Sequence, residues 1–381
     1  MVYLDHNAIT PMRPEAKAAL AAALEVFGNP SSVHAAGRAA RDVLDSARAQ
    51  VAAAIGAQPA EIVFTSGATE SAAIAIRGAL GAARPGRDEL VVTAVEHPCV
   101  LAVAEALRSE GRRVTVLPVD RRGLPDLEAA GAAVTGRTAL VCAMLANNET
   151  GVLLPVRELG ALARDRGALL FTDAVQAVGK IPVDVRMLGA DLLALTGQKF
   201  GGPRGAGALW VKTGVRLVPL LGGTQERGRR AGTENLPGLA ALGAALSAAL
   251  EHRESEQRRI GSLRDRLEAG LLALLPGALV NGAGAERLPG TLSITLPGTD
   301  AEALLIALDL EGICTSAGSA CHSGSARPSP VLSAMGLTPA EARATLRLSL
   351  GWTSSDEDVE RALEAVPRLA GRVRAAIPAC G

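Results

Sequence analysis

The chain holds only four lysines, Lys17, Lys180, Lys199 and Lys212, and otherwise takes its positive charge from arginine. An amine that must form a Schiff base with a carbonyl group has to be one of these, because a guanidinium cannot do it. Lys199 stands in Leu195-Thr196-Gly197-Gln198-Lys199-Phe200-Gly201-Gly202, a Gly-rich turn directly after an apolar run. Lys17 falls on an amphipathic helix, Lys180 in a connecting loop and Lys212 at a strand end, and none has a comparable setting. Asp173 comes 26 residues before Lys199, in Phe171-Thr172-Asp173-Ala174-Val175-Gln176. A carboxylate in such a run is costly unless paired. It is either an ordinary hydrogen-bonded group or the partner of a protonated pyridine nitrogen.

Other polar clusters also follow apolar runs. Thr65-Ser66-Gly67-Ala68-Thr69-Glu70 precedes a helical pattern and would offer backbone N–H groups to an anion such as phosphate. Taken alone it reads as a plain helix cap, since it is neither a Walker loop nor a Rossmann fingerprint. His97-Pro98 and Asn147-Asn148-Glu149-Thr150-Gly151 stand at further strand ends, as ligand contacts or as structural turns. Of the five cysteines, Cys99 and Cys142 lie in apolar surroundings and are expected to be inert core thiols. No CxxC pair or zinc spacing occurs, so neither a disulfide framework nor a metal site is expected. Cys321 is different. It sits in Gly318-Ser319-Ala320-Cys321-His322-Ser323-Gly324, a small, polar stretch with nothing to bury a thiol, so a reactive role outweighs a structural one.

These residues need a scaffold, and the apolar runs describe one. Seven runs, at residues 61–65, 89–95, 113–119, 138–145, 168–175, 191–196 and 207–211, are near-continuously apolar, as suits strands buried on both faces. Helical patterns at 69–80, 98–109, 125–133 and 155–166 separate the first five. The expected fold is α/β, with a seven-stranded, mainly parallel, doubly wound sheet. Only residues 197–206 join the last two runs, too few for a parallel crossover, so the final strand should run antiparallel. Ligands then belong beyond the carboxyl ends of the strands. A long helical stretch from Leu239 to Leu271 carries the charged segment Glu251–Arg259, taken as the domain boundary. Residues 15–255 form the expected large domain. Residues 1–14 with 256–381 form a smaller α+β domain, with strands at 290–296 and 345–350 and helices at 301–310 and 355–369.

With 381 residues, 48% hydrophobic and 20% charged, and with 39 basic against 39 acidic residues, the chain has no global field to attract nucleic acid or an anionic membrane. No run approaches the ~18 apolar residues of a membrane span. The start, MVYLDHNAITPMRP, lacks a signal-type apolar core, so a cytoplasmic location is expected.

In combination and order, these stretches resemble the cysteine desulfurases, class-V relatives of the aminotransferases with the type I pyridoxal-phosphate fold. Tyr3-Leu4-Asp5, Asn29-Pro30-Ser31-Ser32-Val33-His34, Glu96-His97-Pro98, Ala231-Gly232-Thr233-Glu234-Asn235, Gly318–Cys321 and Arg347-Leu348-Ser349-Leu350-Gly351 extend the match over essentially the whole chain. The resemblance implies that Lys199 binds pyridoxal 5'-phosphate covalently and moves the substrate's Cα proton. It further implies Asp173 on the pyridine nitrogen, Gln176 on the ring hydroxyl and His97 stacked on the ring. Asn148 would orient ring and substrate. Ala68, Thr69, Thr196 and Gln198 would hold the phosphate, with Thr233 reaching it from the other subunit of a homodimer. Arg347 would take the carboxylate of L-cysteine. Cys321 would receive the sulfur as a persulfide for an acceptor protein, and its spacing to Pro328-Ser329 resembles the subgroup serving iron–sulfur scaffolds and tRNA thiolation. Gln198 replaces a usual His, Ala73 a usual Asn, and Gly201 and Arg204 a usual Tyr and Lys. Selenocysteine lyase, another class-V activity and a non-catalytic relative are the alternatives. The last two fit poorly with Cys321 and with an intact Lys199, Asp173, His97 and Arg347.

Overall fold

The computed structural model describes residues 1–318 and 328–376. In chain order the elements are β1 (Val2–Tyr3), α1 (Pro14–Leu24), α2 (Ala35–Ala54), β2 (Ile62–Thr65), α3 (Ala68–Gly81), β3 (Glu89–Thr93), α4 (Pro98–Ser109) and β4 (Arg113–Leu117). There follow α5 (Leu127–Ala133), β5 (Thr138–Cys142), α6 (Val156–Asp165), β6 (Leu169–Asp173), α7 (Val185–Leu188), β7 (Leu192–Thr196), β8 (Gly207–Val211) and α8 (Leu236–Leu274). The remainder is β9 (Leu279–Val280), β10 (Thr291–Thr295), α9 (Ala301–Leu310), β11 (Ile313–Cys314), α10 (Pro330–Ala334), α11 (Pro339–Arg343), β12 (Thr345–Ser349) and α12 (Asp356–Ala376).

The expected seven-stranded sheet is present, in the order β2-β8-β7-β6-β5-β3-β4. Strands β3 to β7 pair in parallel, and β8 runs antiparallel to both β7 and β2. The apolar runs are continuous because successive residues feed opposite cores. In β7, Leu192 and Ala194 pack with α3 and α4, whereas Leu193 and Leu195 pack with α2, α6 and α8. Exchanging a core Leu for Ala at such a position would cost about 2–5 kcal/mol.

A third core belongs to the C-terminal part of the chain. Val2 and Leu4 join Ile260, Leu263, Leu267 and Leu271 of α8, the sheet β12-β10-β9 and α12 there. Helix α8 runs unbroken for 39 residues, about 58 Å at 1.5 Å per residue. Its charged middle stays helical, because only one stripe needs to be apolar at each end. The first residues cross to the far end of the sequence: β1 pairs with β11, and Asp5 bridges to Ser349. No helix among the described residues is long and apolar enough to cross a membrane.

Candidate active site

A cleft of about 450 Å³ opens at the carboxyl ends of β6 and β7, beside the start of α3. Ala68, Thr69, His97, Asn148, Asp173, Gln176, Thr196, Gln198, Lys199 and Arg347 all line it, so the fold gathers most of the residues singled out in the sequence. Thr233 is exposed in the loop before α8 and does not line the cleft of its own chain. Cys321 and His322 lie outside the described residues.

At one end, Gly67 caps α3 with a φ of +155° and no side-chain hydrogen bond, so the first N–H groups of the helix remain for a ligand. Backbone packing demands small residues here. A Cβ on Gly207 would stand 2.7 Å from the Gly67 Cα. At the other end Asp173 is buried where β6 stops, with Oδ1 accepting the Val175 N–H at 2.9 Å. Burial raises its carboxyl above the usual range, against the pull of His97 and Lys199. Glu96 lies just behind, accepting from the Thr93 hydroxyl at 2.6 Å and the Met144 N–H at 2.7 Å. Burial outweighs those bonds and pushes it up to about 8.

His97 caps α4 as its Nδ1 accepts the Cys99 N–H at 3.2 Å, so the neutral ring carries its proton on Nε2. Cys99 corrects the sequence reading. It is not sunk in the core but lines the cleft, its sulfur 3.0 Å from His97 Nδ1. Burial, reinforced by Asp173, pushes its thiol up to about 12, which keeps it protonated. Cys142 is fully buried, as expected.

Lys199 follows β7 in a short turn, and its Nζ donates to the carbonyls of Asn7 and Ala8, both at 2.7 Å. Asn7 escaped the sequence reading, although it adjoins the matched Tyr3-Leu4-Asp5. It is fixed by its own N–H on Ser349 Oγ at 2.9 Å and its Nδ2 on Thr291 Oγ1 at 2.9 Å. Its carbonyl also accepts from Gln176 Nε2 at 2.9 Å. Lys180, expected in an undistinguished loop, instead donates to Gln176 Oε1 at 2.6 Å and Asn7 Oδ1 at 3.1 Å. Only the fold brings it there, because nothing in the residues around Lys180 marks the contact.

Arg347 on β12 is 2% exposed, with Nη2 on Asp5 Oδ1 at 2.7 Å and Nη1 on the Asn148 carbonyl at 3.0 Å. Its Nε and the Asn148 Oδ1 are buried with no partner among the described residues. Such orphaned groups in a cleft call for a ligand. The cleft fits pyridoxal phosphate. The start of α3 suits a phosphate, Lys199 supplies the amine, and Asp173 is a carboxyl whose charge a ring cation would restore. Behind Lys199 a cavity of about 40 Å³ is lined by His6, Lys180, Arg253 and Trp352 among others.

The aminotransferase class-V family model matches residues 2–362 of the chain. The cysteine desulfurase of Trichormus azollae is 46% identical over 380 residues, covering 99% of this chain and 95% of that protein. A solved NifS-like protein superposes with a TM-score of 0.91 at 32% identity, covering 97% of this chain and 99% of the other. SspA, solved in complex with cysteine, superposes with a TM-score of 0.81 at 33% identity, covering 92% and 99%. The chain belongs to the class-V aminotransferase family, among its pyridoxal-phosphate-dependent cysteine desulfurases.

Proposed function

We propose that the chain converts L-cysteine to L-alanine and carries the released sulfur as a persulfide on Cys321. The observation that carries this reading is the convergence of Lys199, Asp173 and the open start of α3 on one cleft. Bound there, pyridoxal phosphate supplies an electron sink that lets the substrate's Cα proton be lost. Backbone N–H groups of Ala68 and Thr69, the hydroxyls of Thr69 and Thr196, and Gln198 would hold its phosphate. Asp173 would hold its ring nitrogen, Gln176 its ring hydroxyl, and His97 and Asn148 its ring.

Lys199 binds the cofactor and moves the proton at Cα. Arg347 spends two of its five N–H groups on Asp5 and Asn148, which leaves Nε and one hydrogen on each terminal nitrogen for the substrate carboxylate. The Cys321 thiolate takes the substrate sulfur. One carbon–sulfur bond breaks, one sulfur–sulfur bond forms, and the three-carbon remainder leaves as alanine. Support for placing Cys321 here comes from the flanks of residues 319–327. Ser329 Oγ donates to Glu149 Oε2 at 2.6 Å, and a Cβ on Gly318 would lie 3.2 Å from the same oxygen. One flank is therefore bonded to the residue after Asn148, and the other runs close beside it.

We assign the finer partners as a second copy of the chain, whose Thr233 reaches the phosphate, and a sulfur-acceptor protein of the iron–sulfur scaffold or tRNA-thiolation type, in the cytoplasm. The exposure of Thr233 outside its own cleft supports the first. We also place the domain boundary near residue 255, inside α8, with residues 1–14 in the smaller domain. Val2 and Leu4 in the third core support that division.

The deciding experiment incubates purified protein with L-cysteine and measures alanine and sulfide. Wild type should produce both, and Cys321→Ala neither at a comparable rate. Equal yields from the two would overturn the sulfur transfer. A preparation that is colourless and cannot be reconstituted with pyridoxal phosphate would overturn the cofactor assignment.

A further inference from the structure

The desulfurase scheme gives Lys180 no task, yet the fold carries its amine into the site. Its two hydrogen bonds go to neutral acceptors, Gln176 Oε1 at 2.6 Å and Asn7 Oδ1 at 3.1 Å. The charges it feels most are Lys199 and Arg347, both positive. A cation placed this way costs stability and asks for a reason.

The contacts supply one. A lysine is a donor only, so Gln176 must turn its oxygen toward Lys180 and its Nε2 toward the Asn7 carbonyl. That carbonyl is also the acceptor for Lys199 Nζ at 2.7 Å. Both amines therefore hang on one residue, Lys180 on the side chain of Asn7 and Lys199 on its backbone. Around Lys199 stand Asp173 from β6, His97 from the start of α4, Glu70 of α3, His6 from the N-terminal segment and Arg347 from β12, which holds Asp5. Arg13, Arg253 and Glu256 line the small cavity behind it. Asp5 is engaged by Arg347, Glu256 by Arg13 and Glu70 by Arg230, and among the described residues lining the two cavities Asp173 is the carboxyl that interacts with Lys199.

We propose that Lys180 is a positioning residue for the cofactor lysine: it fixes the Gln176 amide and Asn7 in one orientation, and its charge disfavours a proton on Lys199. The proposal rests on the reading of Lys199 as the cofactor's anchor. The repulsion is mutual. Seen from Lys180, burial comes first, and the Lys199 charge adds to it in bringing that amine down to about 7. A Lys199 that loses its proton more readily is the better nucleophile toward a carbonyl and the better base at Cα.

The test is a pH titration of the visible absorbance of the holoenzyme, in wild type, Lys180→Met, Lys180→Gln and Lys180→Arg, each checked for folding by thermal melting. The midpoint should rise by about one pH unit in the two neutral variants, and Lys180→Arg should return it to the wild-type position. An unchanged or lower midpoint in the neutral variants overturns the proposal, and so does an arginine variant that shifts as far as methionine. If only one neutral variant folds, that variant decides. If neither folds, Lys180 serves the fold and the proposal falls. A wild-type chain that takes up no pyridoxal phosphate overturns the cofactor reading instead. The pH midpoint of Lys199 acetylation, read by peptide mass in the same chains, then decides the lysine proposal separately.

Discussion

In the small sheet, Asn281, Ser293, Thr295 and Thr345 lie buried between Leu292, Ile294 and Leu346. Each finds a neutral partner: Asn281 Nδ2 donates to Ser293 Oγ and Thr295 Oγ1, both at 3.1 Å, and the Thr295 and Thr345 hydroxyls meet at 2.8 Å. The cleft buries polar groups too, but ionisable ones. Asp173 and Glu96 are raised and Lys180 is lowered, all chiefly by burial, while Glu96 Oε2, Asn148 Oδ1 and Arg347 Nε have no partner among the described residues. The first network is closed within the chain and stabilises it. The second is left open to something that is not the chain, at a cost in stability.

The strongest way to break this contrast is Lys199→Ala. It should abolish the visible absorbance and lower alanine formation by at least about 10²-fold, with little change in melting temperature. A yellow, active variant would sink the assignment. Next comes Glu96→Gln. The folded carboxyl is held up at about 8 against an ordinary 4.5, so the folded chain keeps a proton that the unfolded chain has lost. The associated stability is complete below the lower value and vanishes as pH rises through the upper one, at about 1.4 kcal/mol per pH unit in the limit. Urea unfolding of the cofactor-free chain should therefore show wild type losing stability between about pH 5 and about pH 8, and Glu96→Gln losing less. Parallel pH profiles would contradict it.

Asn281→Ala probes the closed network. With the Ser293 hydroxyl stranded and Thr295 left to Thr345 alone, stability should fall by about 1–3 kcal/mol at every pH, while the holoenzyme spectrum stays unchanged. A pH-dependent loss would blur the two regions. The smallest effect belongs to Cys99, whose thiol is held at about 12. Alkylation at about pH 8 should be at least about 10-fold slower than for free cysteine, measured by peptide mass, and rapid labelling would show that the cleft is wetter than its burial implies.

The sheet was legible because strands buried on both faces leave unbroken apolar runs, as in residues 191–196 and 138–145. Lys199 and Asp173 were legible because a charged residue ending such a run has few structural excuses. Lys180, Cys99 and Asn7 were not. Lys180 enters from a loop whose composition is ordinary, and Cys99 sits among apolar neighbours in sequence while facing polar ones in space. Asn7 acts through partners 141 to 342 residues away. Arg347 was legible as a residue, but its engagement by Asp5, 342 positions distant, leaves no trace in local pattern. Pairings of that separation are fixed by topology alone.

The clamp of Asn7 on Ser349 also has a meaning for biogenesis. Synthesis delivers Asn7 some 342 residues before Ser349 of β12, and long-range closures are the slow ones. A nascent chain that has already emerged through β8 has every strand of the large sheet, and Lys199 with it, but no acceptor fixed beneath that lysine. The catalytic pocket is thus assembled after the main sheet, and loss of β12 would leave a chain able to build that sheet yet holding Asn7, and the amine above it, by the Thr291 contact without the Ser349 clamp.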